Sequence, residues 1–387
     1  MSDAAEAADP RPHWDGDGLL PLLGGHGAAS GAALALAGSP CRTAWSFSDM
    51  AARVASIAMR VRDLRLEPGA TALVTGGASP HALAAVLGAQ QAGLRAALLP
   101  LGGGPEELAA ACGTCGANLL IGAGGQAFGD LETLLAVAAS RAVAVRFVAV
   151  CGGEAKNGFV DLCAAGEAEP LAALVAPDAA VLTFARGTGA MAATSAAPQR
   201  AAAVAAALRR WLPEAAAPVV STLPPLSMAG LGAGPWLAWS VGVALHLHGP
   251  FDAFALAEAL AAAGRAHLVL PAALAPAVTG TSALSRHIAS LVLVHRHCSA
   301  AAMLTARPPA LPGAPKIPAI DLHCVGEALT LPVARDSMGR PGAVSEHCLE
   351  IDTDARFVAG AMTADTDAAP VEPEPSRPNK IQHRGSL

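Results

Sequence analysis

The chain has 387 residues, 53% hydrophobic and only 14% charged, so it can bury a large core and is too apolar for a disordered protein. Its formal net charge is −6 and its aromatic content 3%, with no Tyr, which argues against both a phosphate-coating basic surface and a base-stacking platform for nucleic acid. Lysine occurs only at Lys156, Lys316 and Lys380, so arginine supplies nearly all the positive charge.

The first residues, MSDAAEAADPRPHWDGDG, are acidic and lack the basic start and apolar run of a secretory signal. Eight cysteines are scattered without a small-domain framework, so reduced thiols in a cytoplasmic protein are expected. From Ser46 the chain alternates helix-like and strand-like stretches. Ser48 and Asp49 are placed to cap a helix over Met50–Leu64, whose Met50, Val54, Ile57, Val61 and Leu64 recur near the helical period. After the turn Glu67-Pro68-Gly69 comes a buried strand over Thr71–Thr75. Ser79 then caps a helix with Pro80 at its first position, ending near Gly93. A strand over Ala96–Leu99 and a helix opening at Pro105-Glu106-Glu107 follow, the acids lying near the positive end of the helix dipole. Strands are expected over Leu119–Ile121, Ala142–Val150, Ala179–Phe184, Val219–Ser221, Val241–Leu247 and His267–Leu270, with helices between most of them, including Pro198–Trp211 and Asp252–Gly264. Such alternation predicts a parallel or mixed sheet covered on both faces. Residues 215–251 and 266–285 contain no Asp, Glu, Lys or Arg and are long enough to span a bilayer. Their many prolines and glycines fit buried strand–turn–helix units better. After Gly360 the pattern stops, and residues 361–387 read as a flexible tail.

The segment Leu182-Thr183-Phe184-Ala185-Arg186-Gly187-Thr188-Gly189 reads as a buried strand ending in a Gly/Thr loop, with a helix after it. Such a loop can aim backbone N–H groups and hydroxyls at an anion, and Arg186 adds fixed charge. The nucleotide-binding pattern GxxxxGK[ST] is absent, and an ordinary strand–helix connection remains the alternative. Cys112-Gly-Thr-Cys115 has redox spacing but ends a helix, whereas a redox pair opens one. His295-Arg296-His297-Cys298, His323-Cys324 and His347-Cys348 carry zinc-ligand types without zinc-ligand spacing. Neighbours on a strand point to opposite faces, so one of each pair could reach a common site; the alternative is buried Cys with partly exposed His. The glycine runs at 102–104 and 122–125 do not form GxGxxG between strand and helix, so no dinucleotide site is expected.

From Trp45 to about residue 360 the order of segments resembles the large N-terminal domain of the adenylate-forming superfamily, which includes acyl-CoA synthetases, peptide-synthetase adenylation domains and luciferases. FSDMAARVASIAMRVRDLRLEPGATALVTGGASPHALAAVLGAQQAGLRAALLP looks like that family's opening helix, "GVKPGD"-like turn and strand–helix–strand ending in "AGAVVVPL". GPEELAAACGTCGANLLIG is similar to the next helix and strand, and LTFARGTGAMAATSA lies where the family has its "TSGTTGxPKG" phosphate loop. STLPPLSMAGLGAG resembles "PLFHxxGL", HLVLPAALAPAV resembles "THLxxVPPLLxAL", and DLHCVGEALTLPVARDSMGRPGAV is similar to the "YGxTE" segment and its sequel.

The resemblance implies an α/β fold of mixed, mostly parallel sheets covered by helices, of the adenylate-forming large-domain type. It divides the chain into an N-terminal segment 1–44, a large domain 45–360 and a tail 361–387. It implies activation of a small-molecule carboxylate by ATP to an acyl-adenylate, with Mg²⁺ as metal and coenzyme A as a thiol acceptor. Thr183, Arg186, Gly187, Thr188 and Gly189 would hold phosphates, Glu327 the metal, and Gly326 would lie beside the adenine. Ser227 stands where the family often has the His of "FHxxG", near the acyl pocket, and Gly230 matches the Gly of that segment. The phosphate loop lacks its Lys, no Tyr or Thr accompanies Glu327, and no segment matches the smaller C-terminal lid. The ending SRPNKIQHRGSL is similar to the family's "PRTxSGKIQRxxL", which would make Lys380 the adenylation lysine; a solvated basic tail is the other reading. These departures leave two functions open. One is an AMP-forming ligase; the other is an inactive descendant that binds a nucleotide, an acyl group or a protein partner supplying the lid, with oligomerisation compatible with either. Nucleic acid and membrane are not expected partners.

Overall fold

The structure is a computed structural model. It describes residues 18–30, 34–39, 43–124, 130–153, 155, 158–163, 181–186, 191–196, 198–213, 216–280, 282–311, 317–327, 329–336 and 338–342. Two strands, β1 (Leu34–Ser39) and β2 (Thr43–Ser46), come first. Next follow β3 (Thr71–Gly76), β4 (Arg95–Pro100), β5 (Ala117–Ala123), β6 (Phe147–Cys151), β7 (Val160–Asp161), β8 (Val181–Arg186) and β9 (Met191–Ala196). The last set is β10 (Val219–Ser221), β11 (Leu245–His248), β12 (Ala266–Pro271), β13 (Ile288–His297), β14 (Ala319–Val325) and β15 (Leu329–Ala334).

They build two sheets, one of seven strands in the order β7-β6-β5-β3-β4-β8-β9 and one of eight in the order β15-β14-β13-β12-β10-β11-β1-β2. Pairing is parallel except for β8 with β9, β14 with β15 and β1 with β2. The fold is therefore the expected α/β type of mixed, mostly parallel sheets. The stretch before Trp45 contributes β1, which lies between β11 and β2 inside the larger sheet.

Three apolar clusters define the layers. The largest joins the inner faces of both sheets, through Val74, Leu98 and Ile121 on one side and Val219, Leu247 and Ile320 on the other, to helices between them. A second covers the outer face of the seven-stranded sheet, where Leu73, Leu99 and Leu120 meet the helices Pro105–Cys115 and Leu131–Arg141. A third covers the outer face of the eight-stranded sheet, where Leu268, Leu291 and Leu293 meet Leu256 and Leu260 of the helix Ala253–Ala263. Strands buried on both faces explain the long apolar runs of the sequence. Among the described residues no helix is long and apolar enough to cross a membrane.

Local signals decide most of the elements, with informative exceptions. Ser79 does cap the helix Pro80–Gln91, accepting the Ala82 N–H at 3.2 Å. The first long helix, however, runs Phe47–Asp63 and is capped by Ser46. Asp49 sits one turn in, and its carboxylate accepts the Ser46 N–H at 3.0 Å while Ser46 Oγ accepts the Asp49 N–H at 3.1 Å. Two orphan donors are thereby satisfied reciprocally, which capping by Ser48 would forgo. The strand expected from Ala142 begins only at Phe147, because the helix Leu131–Arg141 runs up to it and Val145 closes a turn on Ala142. The loop after β8 does not feed a helix. It joins β8 to the antiparallel β9 in a hairpin whose last pair is Arg186 and Met191, and the helix Pro198–Arg209 starts only after β9. The sequence carries the Gly/Thr loop on to Thr194-Ser195, because MAATSA shows no alternation of apolar and polar residues; pairing with β8 makes it a strand.

Candidate functional site

A charge-free, Gly- and Pro-rich stretch builds the first wall of the site. Ser227 is the cap of Met228–Leu231, which continues through a π turn, Gly232–Trp236, into Leu237–Ser240. Pro235 lies inside the π turn; having no N–H, it cannot make the α-helical bond, and the wider turn absorbs it. Ser227 is fully buried and its Oγ accepts the Gly230 N–H at 3.1 Å. Gly230 is obligatory here, because a Cβ would lie 2.0 Å from the carbonyl oxygen of Pro224. Gly232 allows a second close approach, a Cβ there lying 2.7 Å from Val204 Cβ of the helix after β9.

The second wall is the β14–β15 hairpin. Val325 pairs with Leu329, and Gly326 turns the chain with φ +57°, a left-handed conformation that glycine adopts without strain. The turn carries Glu327 back to the helix start, where its Oε2 accepts the Met228 N–H at 2.6 Å. This donor is one that the helix cannot satisfy internally, and the dipole favours an anion there. Arg296 Nη1 of β13 lies 3.7 Å from Glu327 Oε1, but that guanidinium is 54% exposed while the carboxylate is 11% exposed. Burial consequently pushes the Glu327 carboxyl above the usual carboxylate range, opposed by the Met228 N–H and then by Arg296.

Of the residues singled out from sequence, the structure brings Ser227, Gly230, Gly326 and Glu327 together. Ser227 presents its hydroxyl to its own turn. Thr183 is buried in β8, in register with Leu98 of β4 and Thr194 of β9. Arg186 is the last residue of β8. Gly187, Thr188, Gly189 and Lys380 lie outside the described residues, as do His347 and Cys348. Cys112 and Cys115 end their helix fully packed, and burial pushes their thiols up to about 12 and about 11, so neither is a reactive thiolate.

A second polar cluster occupies the other face of β13 and β14. His295 pairs in register with His323, and His297 lies two residues further on. The three imidazoles stack, with centroids 4.8 Å apart for His295 and His323 and 5.2 Å for His297 and His323. His295 Nε2 lies 2.8 Å from Asp321 Oδ1, which also accepts Nε and Nη2 of Arg335 at 3.1 and 2.8 Å. Burial lowers His323 to about 4 and, with the neighbouring His295, lowers His297. Sequence reasoning drew attention to the histidines but passed over Asp321 and Arg335. The two-residue spacing of Asp321 and His323 against His295 and His297 was the available signal.

The fold and part of this chain are shared with known proteins. A family model described as AMP-binding enzyme matches residues 28–341, well over half of the chain. Among solved structures, the anthranilate CoA ligase AuaEII in complex with anthranoyl-AMP is 15% identical with a TM-score of 0.62, covering 84% of this chain and 62% of that one. The amide bond synthetase McbA from Marinactinospora thermotolerans is 17% identical with a TM-score of 0.64, covering 84% of this chain and 63% of that one. Mycobacterium smegmatis MbtA is 20% identical with a TM-score of 0.64, covering 85% of this chain and 62% of that one. This chain thus spans a little over three fifths of the length of each. No curated protein matches it by sequence.

Proposed function

Because the chain belongs to the AMP-binding enzyme family, we propose that it activates a small carboxylic acid with ATP. A carboxylate oxygen bonds to the α-phosphorus, the bond from that phosphorus to the bridging oxygen of the β-phosphate breaks, and pyrophosphate leaves an acyl-adenylate. A thiol, coenzyme A being the acceptor we favour, then takes the acyl group and AMP departs. The observation that carries this reading is the Glu327 carboxylate, held at the start of the Met228 helix by a turn that also contains Gly326. Two anions must approach each other in this chemistry, so the protein has to fix counter-charges and donors in advance.

Glu327 suits Mg²⁺, which takes oxygen donors and is held by one or two carboxylates together with substrate phosphates and water. Its Oε2 is anchored by Met228, leaving Oε1, 3.7 Å from the half-exposed Arg296, as the donor toward the ion. Bound there, Mg²⁺ would offset the charge of the triphosphate. Thr183, Arg186, Gly187, Thr188 and Gly189 are the proposed phosphate-holding residues, and Gly326 the neighbour of the adenine. Ser227 and Gly230 shape the acyl pocket through the turn they fix, since the Ser227 hydroxyl is engaged as a cap. Lys380 is the proposed partner of the carboxylate and α-phosphate.

Carboxylate-dependent exchange of labelled pyrophosphate into ATP tests the proposal. Exchange with at least one acid of an aryl and alkyl panel, lost in Lys380→Ala, is the expected result. No exchange with any acid, alongside calorimetric binding of ATP, would replace the ligase with the inactive nucleotide-binding descendant; absence of both would remove nucleotide chemistry altogether.

A further inference from the structure

We propose that His295, Asp321 and His323, with His297 beside them, form a binding site for a transition-metal dication of the zinc class, separate from the Glu327 carboxylate. Strand geometry brings the groups together: parallel register sets His295 opposite His323, and alternation puts Asp321 and His297 on the same face. One ligand atom from each of His295, Asp321 and His323 lies within 4.8 Å of the others. Tetrahedral coordination at the usual zinc bond lengths separates donors by about 3.3 Å. On binding, the imidazoles would have to turn about their side-chain torsions to reach that spacing.

Two further observations favour an ion over a self-contained polar cluster. Asp321 Oδ2 and His323 Nε2 are both buried with no hydrogen-bond partner among the described residues, in residues that are 0% and 1% exposed. Buried polar atoms are rarely left unmatched, and a bound cation resolves both at once, one a carboxylate oxygen and one an imidazole nitrogen. Arg335, 2% exposed, meanwhile fixes the carboxylate through Oδ1, the outer support that metal-ligating carboxylates require. Leu291, Leu293 and Ala319 continue the same strand face below the cluster and keep its floor dry.

Among the described residues the ligand set is nitrogen and oxygen. Cys324 alternates to the inner face, where it packs in the core and burial pushes its thiol up to about 12. Arg296, in register with Cys324, reaches Glu327 on that same inner face. The two sites therefore use opposite faces of β13 and β14, and each can fail without the other.

The full chain, freed of metal with a chelator and carrying no histidine tag, is titrated with Zn²⁺ by calorimetry and with Co²⁺ by visible absorption. The expected result is one equivalent of either ion and cobalt d–d bands without a thiolate charge-transfer band. His295→Ala and His323→Gln should each weaken binding at least about 100-fold, while Cys298→Ser leaves it unchanged. Failure to take up a stoichiometric ion, a thiolate band, or uptake that survives both histidine variants overturns the proposal. If His323→Gln does not fold by circular dichroism, His295→Ala, at a position less buried than His323, decides alone.

Discussion

Replacing Glu327 by Gln separates its charge from its shape. The side chain retains an oxygen to accept the Met228 N–H, now a neutral bond rather than one to a carboxylate. That exchange loses about 1 kcal/mol, the difference between a charge-assisted and an ordinary hydrogen bond. Arg296 repays little, because an exposed guanidinium at 3.7 Å contributes about 0.2–1 kcal/mol. Against both stands the cost of burying the charge, and the upward displacement of the Glu327 pKa means that this cost already exceeds what Met228 and Arg296 return. A group whose folded pKa is raised contributes stability below its unfolded pKa and loses it as pH rises through the folded pKa. The Gln variant does not titrate, so its advantage should be absent in mild acid and grow with pH. Ala, which orphans the Met228 N–H, should cost about 1–3 kcal/mol instead. The proposed adenylation should fall about 100-fold or more in both. Urea unfolding at pH 5, 7 and 9 beside pyrophosphate exchange reads all of this. A Gln variant less stable than wild type by over 2 kcal/mol at pH 9 would refute the assignment of Glu327 as a buried carboxylate under strain of charge.

Three further outcomes follow from the geometry. Gly230→Ala places a Cβ 2.0 Å from the Pro224 carbonyl oxygen and should cost about 3 kcal/mol or more, whereas Gly113→Ala, with nothing within 4 Å among the described residues, should be neutral or stabilising; thermal melts compare them. His81 and His246 are both lowered to about 4 from 6.5, by burial first, so the unfolded chain protonates before the folded one. Stability should be full above pH 6.5 and fall toward pH 4, by up to about 3 kcal/mol for each ring, and His81→Leu should flatten the urea-midpoint profile; midpoints unchanged between pH 7 and 5 would contradict it. Alkylation with peptide mapping should label the exposed Cys298 in the native protein and reach Cys112 and Cys115 only on unfolding.

What was legible in the sequence depends on how far apart the cooperating residues lie. Ser79, Pro80 and the apolar run Thr71–Thr75 announce a strand and a capped helix because cap, first turn and buried strand are neighbours in the chain. The choice of Ser46 over Ser48 or Asp49 as cap was not legible, since all three have the right chemistry and only the reciprocal bond distinguishes them. β9 and the π turn were hidden for a different reason. One exists through pairing with β8, and the other through accommodating Pro235 in a helix that packs Gly232 against Val204. Gly326, Glu327, Ser227 and Gly230 could be named by resemblance, yet the contact that unites them joins residues 99 apart, Met228 and Glu327.

The same reasoning bears on why polar residues are placed in strands that are otherwise Leu, Val and Ile. A histidine or aspartate on a strand buried on both faces costs free energy unless it is matched. In β14 the inward positions are met by packing, but outward Asp321 and His323 keep one atom each unmatched among the described residues, even after Arg335, His295 and His297 have been counted. Pure packing would have favoured apolar side chains at these positions, as at Leu291 and Leu293 on the neighbouring strand, and a self-sufficient polar network would have closed on itself. A site that does neither, set on two strands inside the sheet, has the character of one completed by something that binds. The chelated protein should accordingly melt below the Zn²⁺-saturated one, and equal melting temperatures would return the cluster to an unexplained polar inclusion.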